Sequence, residues 1–96
     1  MRKFEFSEQE DLIHIRHAAR IYFRIKNTTK EPRYKSVSDE KIEVIVDPET
    51  ILVVVAYGDD VECYFRNAQT GKRSVHFNNP ALAVVSYKRG ITYATE

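Results

Sequence analysis

The sequence predicts an α+β domain with one long and one short N-terminal helix followed by a four- to five-stranded antiparallel sheet. Three observations lead there. Apolar residues recur at three- and four-residue spacing between Leu12 and Ile25, the period of one helix face. From Thr50 onward, runs of β-branched and aromatic residues alternate with turn-forming Gly, Asn and Asp, as in antiparallel strands. The helical pattern precedes the strand pattern instead of interleaving with it, which separates α+β from α/β architecture.

The first helix begins near Glu8, because Ser7 with Glu10 three residues later forms a capping box ahead of the periodic run. Leu12, Ile15, Ala18, Ala19, Tyr22 and Ile25 share its apolar face, and Arg16, Arg20 and Arg24 form a ladder across from it. Asn27 through Ser36 is polar, contains Pro32, and reads as a loop. A short second helix is predicted from about Asp39 to Val46. Ser38 is a good N-cap, Asp39 and Glu40 suit a first turn, Val37 could staple onto Ile42, and Asp47-Pro48 supplies a stop. Ile42, Val44 and Val46 also alternate with other residues, so a strand is the alternative for this segment.

Ile51 to Tyr57 is a continuous apolar run suited to a central strand buried on both faces, ending at Gly58-Asp59-Asp60. Val61, Cys63 and Phe65 then alternate with Glu62, Tyr64 and Arg66, and a turn at Asn67 to Lys72 leads into Arg73 to Phe77. Asn78-Asn79-Pro80 breaks the pattern. Leu82 to Tyr87 is predicted as a strand, turned by Lys88-Arg89-Gly90 into a last strand at Ile91 to Thr95. The first helix should cover one face of this sheet.

A chain of 96 residues suits one domain, residues 1–96, with its own core. The single cysteine, Cys63, has no partner for an internal disulfide, and the start Met-Arg-Lys-Phe-Glu-Phe-Ser-Glu lacks the apolar run of a secretory signal. A reducing, cytoplasmic setting is expected. The apolar stretch from Ile51 to Tyr57 is far shorter than the roughly 20 residues that span a bilayer, so no membrane partner is expected. Gly58, Gly71 and Gly90 are isolated turn residues and form no phosphate-cradling loop. His14 and His17 are three residues apart, but the remaining donors have no metal-ligand spacing. Neither a metal nor a cofactor is expected.

The net charge of +1 conceals segregation. Residues 1–11, 12–35 and 36–96 carry −2, +6 and −3. Macrodipole complementarity explains basic residues in the last turn of the first helix, such as Lys26, but fades too quickly to explain Arg16 and Arg20 in its middle. A ladder of this kind with His17 beside it points to an anion-binding and proton-transferring surface. The plainer alternative is a solvated face paired with sheet acids such as Glu43 or Glu62, each pair contributing about 0–1 kcal/mol. Cys63 alternates in phase with Val61 and Phe65 and reads as core. Tyr57, Tyr64, Tyr87 and Tyr93 come from four predicted strands and could form a platform for stacked bases, or simply pack the sheet.

Three pieces of the chain carry a resemblance: His17-Ala18-Ala19-Arg20 on the first helix, Ser38-Asp39-Glu40-Lys41-Ile42 through Asp47-Pro48, and Ile91-Thr92-Tyr93-Ala94 at the end. In their order they resemble small RelE-like and BrnT-like toxin domains, within the barnase, EndoU, colicin and RelE group of metal-independent ribonucleases. The resemblance implies a small toxin-like domain that binds RNA and cleaves it by acid/base chemistry. His17, Arg20 and Tyr93 would then supply base, phosphate-stabilising cation and acid, with Thr92 or His76 as a further donor. Arg16, Arg20, Arg24 and Lys26 would hold the RNA backbone. From a different class, a non-catalytic immunity protein, antitoxin or phage-type inhibitor would use the same basic helix against an acidic protein partner.

Overall fold

A computed structural model of the chain describes residues 9–38, 40–57 and 60–94. In order along the chain are α1 (Gln9–Lys26), β1 (Tyr34–Ser38), β2 (Lys41–Asp47), β3 (Thr50–Tyr57), β4 (Asp60–Asn67) and α2 (Pro80–Arg89). The strands form an antiparallel meander in the order β1-β2-β3-β4, and both helices lie on one face. The predicted α+β class and antiparallel sheet hold, whereas the placement of the second helix does not. That helix is C-terminal.

The segment predicted as a helix from Asp39 to Val46 is strand β2, and Asp39 itself lies outside the described residues. Ile42, Val44 and Val46 are 1%, 0% and 3% exposed on the helix side, while Ile45 between them is 69% exposed. The two-residue period prevails because β1 and β3 lie on either side and satisfy the backbone groups of β2 as a ladder. Ser38, predicted as a helix cap, instead accepts a hydrogen bond from the Glu40 amide at 3.3 Å in the β1–β2 turn. The predicted loop at 27–36 is correspondingly shorter, since its last residues belong to β1.

Leu82 to Tyr87, predicted as a strand, lies within α2. Asn79 caps this helix by accepting from the Ala81 amide at 2.9 Å, Pro80 occupies the first turn, and Gly90 with φ 97° closes the end. The Asn-Pro pair is therefore a helix start. Arg73 to Phe77 forms isolated bridges to β4, Arg66 to Arg73 and Cys63 to Phe77, and is not a full strand. Residues 91–94 are not a strand either; the Ala94 amide donates to the Arg73 carbonyl at 2.8 Å. The predicted capping residue Ser7 lies outside the described residues.

The core has two parts. On the helix side, Ile15, Ala18 and Ile21 of α1 and Ala83 and Val84 of α2 pack on Ile42, Val44, Leu52, Val54, Cys63 and Phe65. On the other side Val53, Val55 and Tyr64 form a smaller cluster. Leu52, Val53 and Val54 are each 0% exposed, as predicted for a central strand buried on both faces. Val53 is covered because an Arg66–Glu43 ion pair at 2.7 Å reaches from β4 to β2 across β3, with Tyr64 beside it. The long pairing of β3 with both neighbours makes the sheet a rigid support for α1.

Candidate functional site

Helix α1 presents Arg16, Arg20, Arg24 and Lys26 to solvent, because its apolar stripe turns inward and fixes the rotation of the whole helix. At a rise of 1.5 Å per residue, the arginine rungs stand about 6 Å apart along the axis. Lys30, Arg33 and Lys35 extend the exposed basic surface through the following loop into β1. Among the described residues none of these seven cations makes an ion pair. The sheet acids that might have neutralised them are engaged elsewhere: Glu43 with Arg66, and Glu62 with His76 at 3.1 Å. The paired-face explanation for the ladder therefore fails for these two acids.

At the end of the ridge the chain turns out of α1 at Asn27, whose φ of 54° lies in the left-handed region. A shallow hollow of about 440 Å³ lined by Phe23, Asn27, Thr28 and Thr29 sits there. Phe23 meets Tyr22 edge-on, with ring centroids 6.3 Å apart.

Neither histidine of α1 is a freely exposed surface residue. His14 is 2% exposed, and its Nδ1 is buried without a hydrogen-bond partner among the described residues. His17 is half-buried at the boundary between ridge and core, and its Nε2 is likewise buried and has no partner among these residues. Burial, then the charge of Arg20, then His14, push the His17 imidazole below its ordinary titration range. The shift favours the neutral imidazole, the form that can accept a proton, three residues from an exposed guanidinium. Among the described residues no cluster of three or more metal-ligating side chains exists.

Tyr93 and Thr92 lie on the segment after α2. Thr92 is exposed. The Tyr93 side chain is hydrogen-bonded to Thr50, and its phenol is raised by burial and by Asp47 and Glu49, against the opposing Thr50 bond. It belongs to a network at the β2–β3 turn that sequence reasoning missed. Tyr87 donates its hydroxyl proton to Asp47 Oδ2, the Glu49 amide donates to Oδ1 at 2.9 Å, and the buried Thr50 bonds Asp47 as well. Burial pushes the Asp47 carboxyl up, but these hydrogen bonds together outweigh it and hold the group below its ordinary value. The Tyr87 phenol is pushed up to about 12, by burial first and then by Asp47. The only local signal, Asp47-Pro48, marks a turn without revealing which side chains reach it.

Among the described residues no hydrogen bond, ion pair or ring contact joins Tyr93 or Thr92 to His17 or Arg20. The four tyrosines do not form one platform: Tyr87 and Tyr93 pack against the helix-side core and Tyr64 lies in the cluster on the other face, while the Tyr57 side chain is outside the description. His76 stacks on Tyr64 with ring centroids 4.6 Å apart and planes inclined by 8°, and the Arg73 guanidinium lies 5.7 Å from the Tyr64 centroid. Cys63 is buried as predicted, its thiol pushed up to about 12 by burial and Glu62, which makes it unreactive. Comparison with protein-family models, curated proteins and solved structures finds no match for this chain.

Proposed function

We propose that this chain binds single-stranded RNA through the ridge of α1, with Arg16, Arg20, Arg24 and Lys26 on successive phosphates. The observation that carries the reading is the exposure of these cations without ion-pair partners among the described residues. Guanidinium forks hold phosphate oxygens bidentately and remain charged at any working pH. Rungs about 6 Å apart can engage neighbouring phosphates of an extended strand, and the hollow at Phe23 offers an aromatic edge beside them. Toxin-like cleavage would draw on His17 as base and Arg20 as phosphate-stabilising cation, with Tyr93 as acid only if it leaves its bond to Thr50.

The test incubates the protein with a mixed single-stranded RNA pool in EDTA across a salt series, reading retention and cleavage together. Four phosphate contacts at a slope of about 0.7 each give log K against log salt a slope of about −3. Affinity then falls roughly 50-fold between 50 and 200 mM salt. Arg20→Ala should reduce that loss to roughly 20-fold. A flat wild-type response refutes the ridge as an RNA site, and co-purification of an acidic protein in place of RNA would move the assignment to the inhibitor class. Cleavage that disappears in His17→Ala would add catalysis to binding.

A further inference from the structure

We propose that occupation of the α1 ridge by a polyanion is coupled to proton uptake by His17, so that the site binds more tightly in mildly acidic medium. This rests on the ridge being the binding site. His17 lies one helical turn from Arg20, at the edge where the exposed ladder meets the buried stripe. Residues three apart on a helix are neighbours, so a phosphate seated on Arg20 stands next to the imidazole. In the free chain the burial of the ring, then the charge of Arg20 and then His14, oppose protonation. A bound phosphate leaves the burial in place but offsets the charge of Arg20, and its own negative charge favours the imidazolium.

The surroundings of His17 contain no competing anion among the described residues. On its own helix it meets His14 and Arg20. The elements packed on α1 face it mainly with aliphatic side chains: Ile42, Val44 and Val46 from β2, Leu52 and Val54 from β3, Ala83 and Val84 from α2. Of the titratable groups that other elements bring to that core, Tyr34 donates to the Ile15 carbonyl at 3.3 Å and feels the charge of Glu31, Tyr87 holds Asp47, Tyr93 bonds Thr50, and the Cys63 thiol stays protonated; Tyr22 packs on the core from α1 itself. Among the described residues no carboxylate is hydrogen-bonded to His17, and because Nε2 is buried an external anion on the ridge stabilises the charged form through its field and not by a bond to that atom.

By linkage, a group whose titration rises on binding takes up protons as the complex forms, and affinity changes by at most about tenfold per pH unit for one proton. The experiment follows the histidine ring protons by NMR from pH 5 to 8 at constant ionic strength. It is run on the free protein, with inorganic tripolyphosphate, and with oligouridylate. The His17 resonance is assigned by its loss in His17→Gln, and His76, stacked on Tyr64 and bonded to Glu62, is the internal control. The expected result is a rise in the His17 midpoint with either polyanion and none for His76, with RNA affinity gaining roughly threefold to tenfold per pH unit on acidification. RNA retention with an unmoved His17 midpoint overturns the coupling and leaves RNA binding standing. A shift with tripolyphosphate but no RNA retention upholds the coupling and refutes RNA as the ligand. Binding of neither polyanion refutes both.

Discussion

Removing the Tyr87 hydroxyl should loosen α2 from the sheet, and the Tyr87–Asp47 contact allows the effect to be worked out. The pair joins residues 40 apart in sequence and ties the last turn of α2 to the end of β2. A hydrogen bond to a charged group contributes about 1.5–3 kcal/mol, and partial solvent access at both residues favours the lower end. Asp47 keeps the Glu49 amide and Thr50 as donors, so Tyr87→Phe leaves no orphaned carboxylate. The expected loss is about 1.5–2 kcal/mol, equivalent to roughly 6–16 °C in Tm for a domain of this size. Urea unfolding of Tyr87→Phe, Asp47→Asn and the double variant gives the coupling energy directly. The pH dependence has two windows. Asp47 titrates below its ordinary value in the folded chain, so its contribution is present above that ordinary value and is lost as the pH falls through the folded one. Tyr87 is raised to about 12, so its contribution is full below the ordinary phenol value near 10 and is lost as the pH climbs through 12. A coupling indistinguishable from zero at pH 7, or one unchanged after Asp47 is protonated, would refute the reasoning.

Further expectations concern the core and the second helix. Leu52→Ala, at a position 0% exposed between α1 and the sheet, should destabilise by about 3 kcal/mol in urea melts, with an unchanged m-value. A cost below about 1 kcal/mol would mean that α1 does not pack there as described. Asn79→Ala should cost about 1 kcal/mol through loss of the cap on the Ala81 amide, whereas Asn79→Asp or Asn79→Ser should restore most of it. Equal losses for all three would count against the cap.

Local patterns were sufficient where one period dominated and the charges were contiguous. Helix α1 and its exposed ladder were legible because its apolar spacing alone defines which side turns inward. The central position of β3 was legible because an unbroken β-branched run has no polar face to expose. Tertiary structure decided the segments whose sequence satisfies two periods. Residues 41–47 carry both a helical and an alternating apolar pattern, and the ladders offered by β1 and β3 selected the strand. In residues 80–89 the short apolar run is compatible with either state; the Asn79 cap and packing beside α1 selected the helix. The burial of His14, the half-burial of His17 and the meeting of Asp47, Thr50, Tyr87 and Tyr93 also belong to the tertiary level, because each depends on residues brought together across the fold. Periodicity specifies a side chain's direction on its own element, but not what another element places against it.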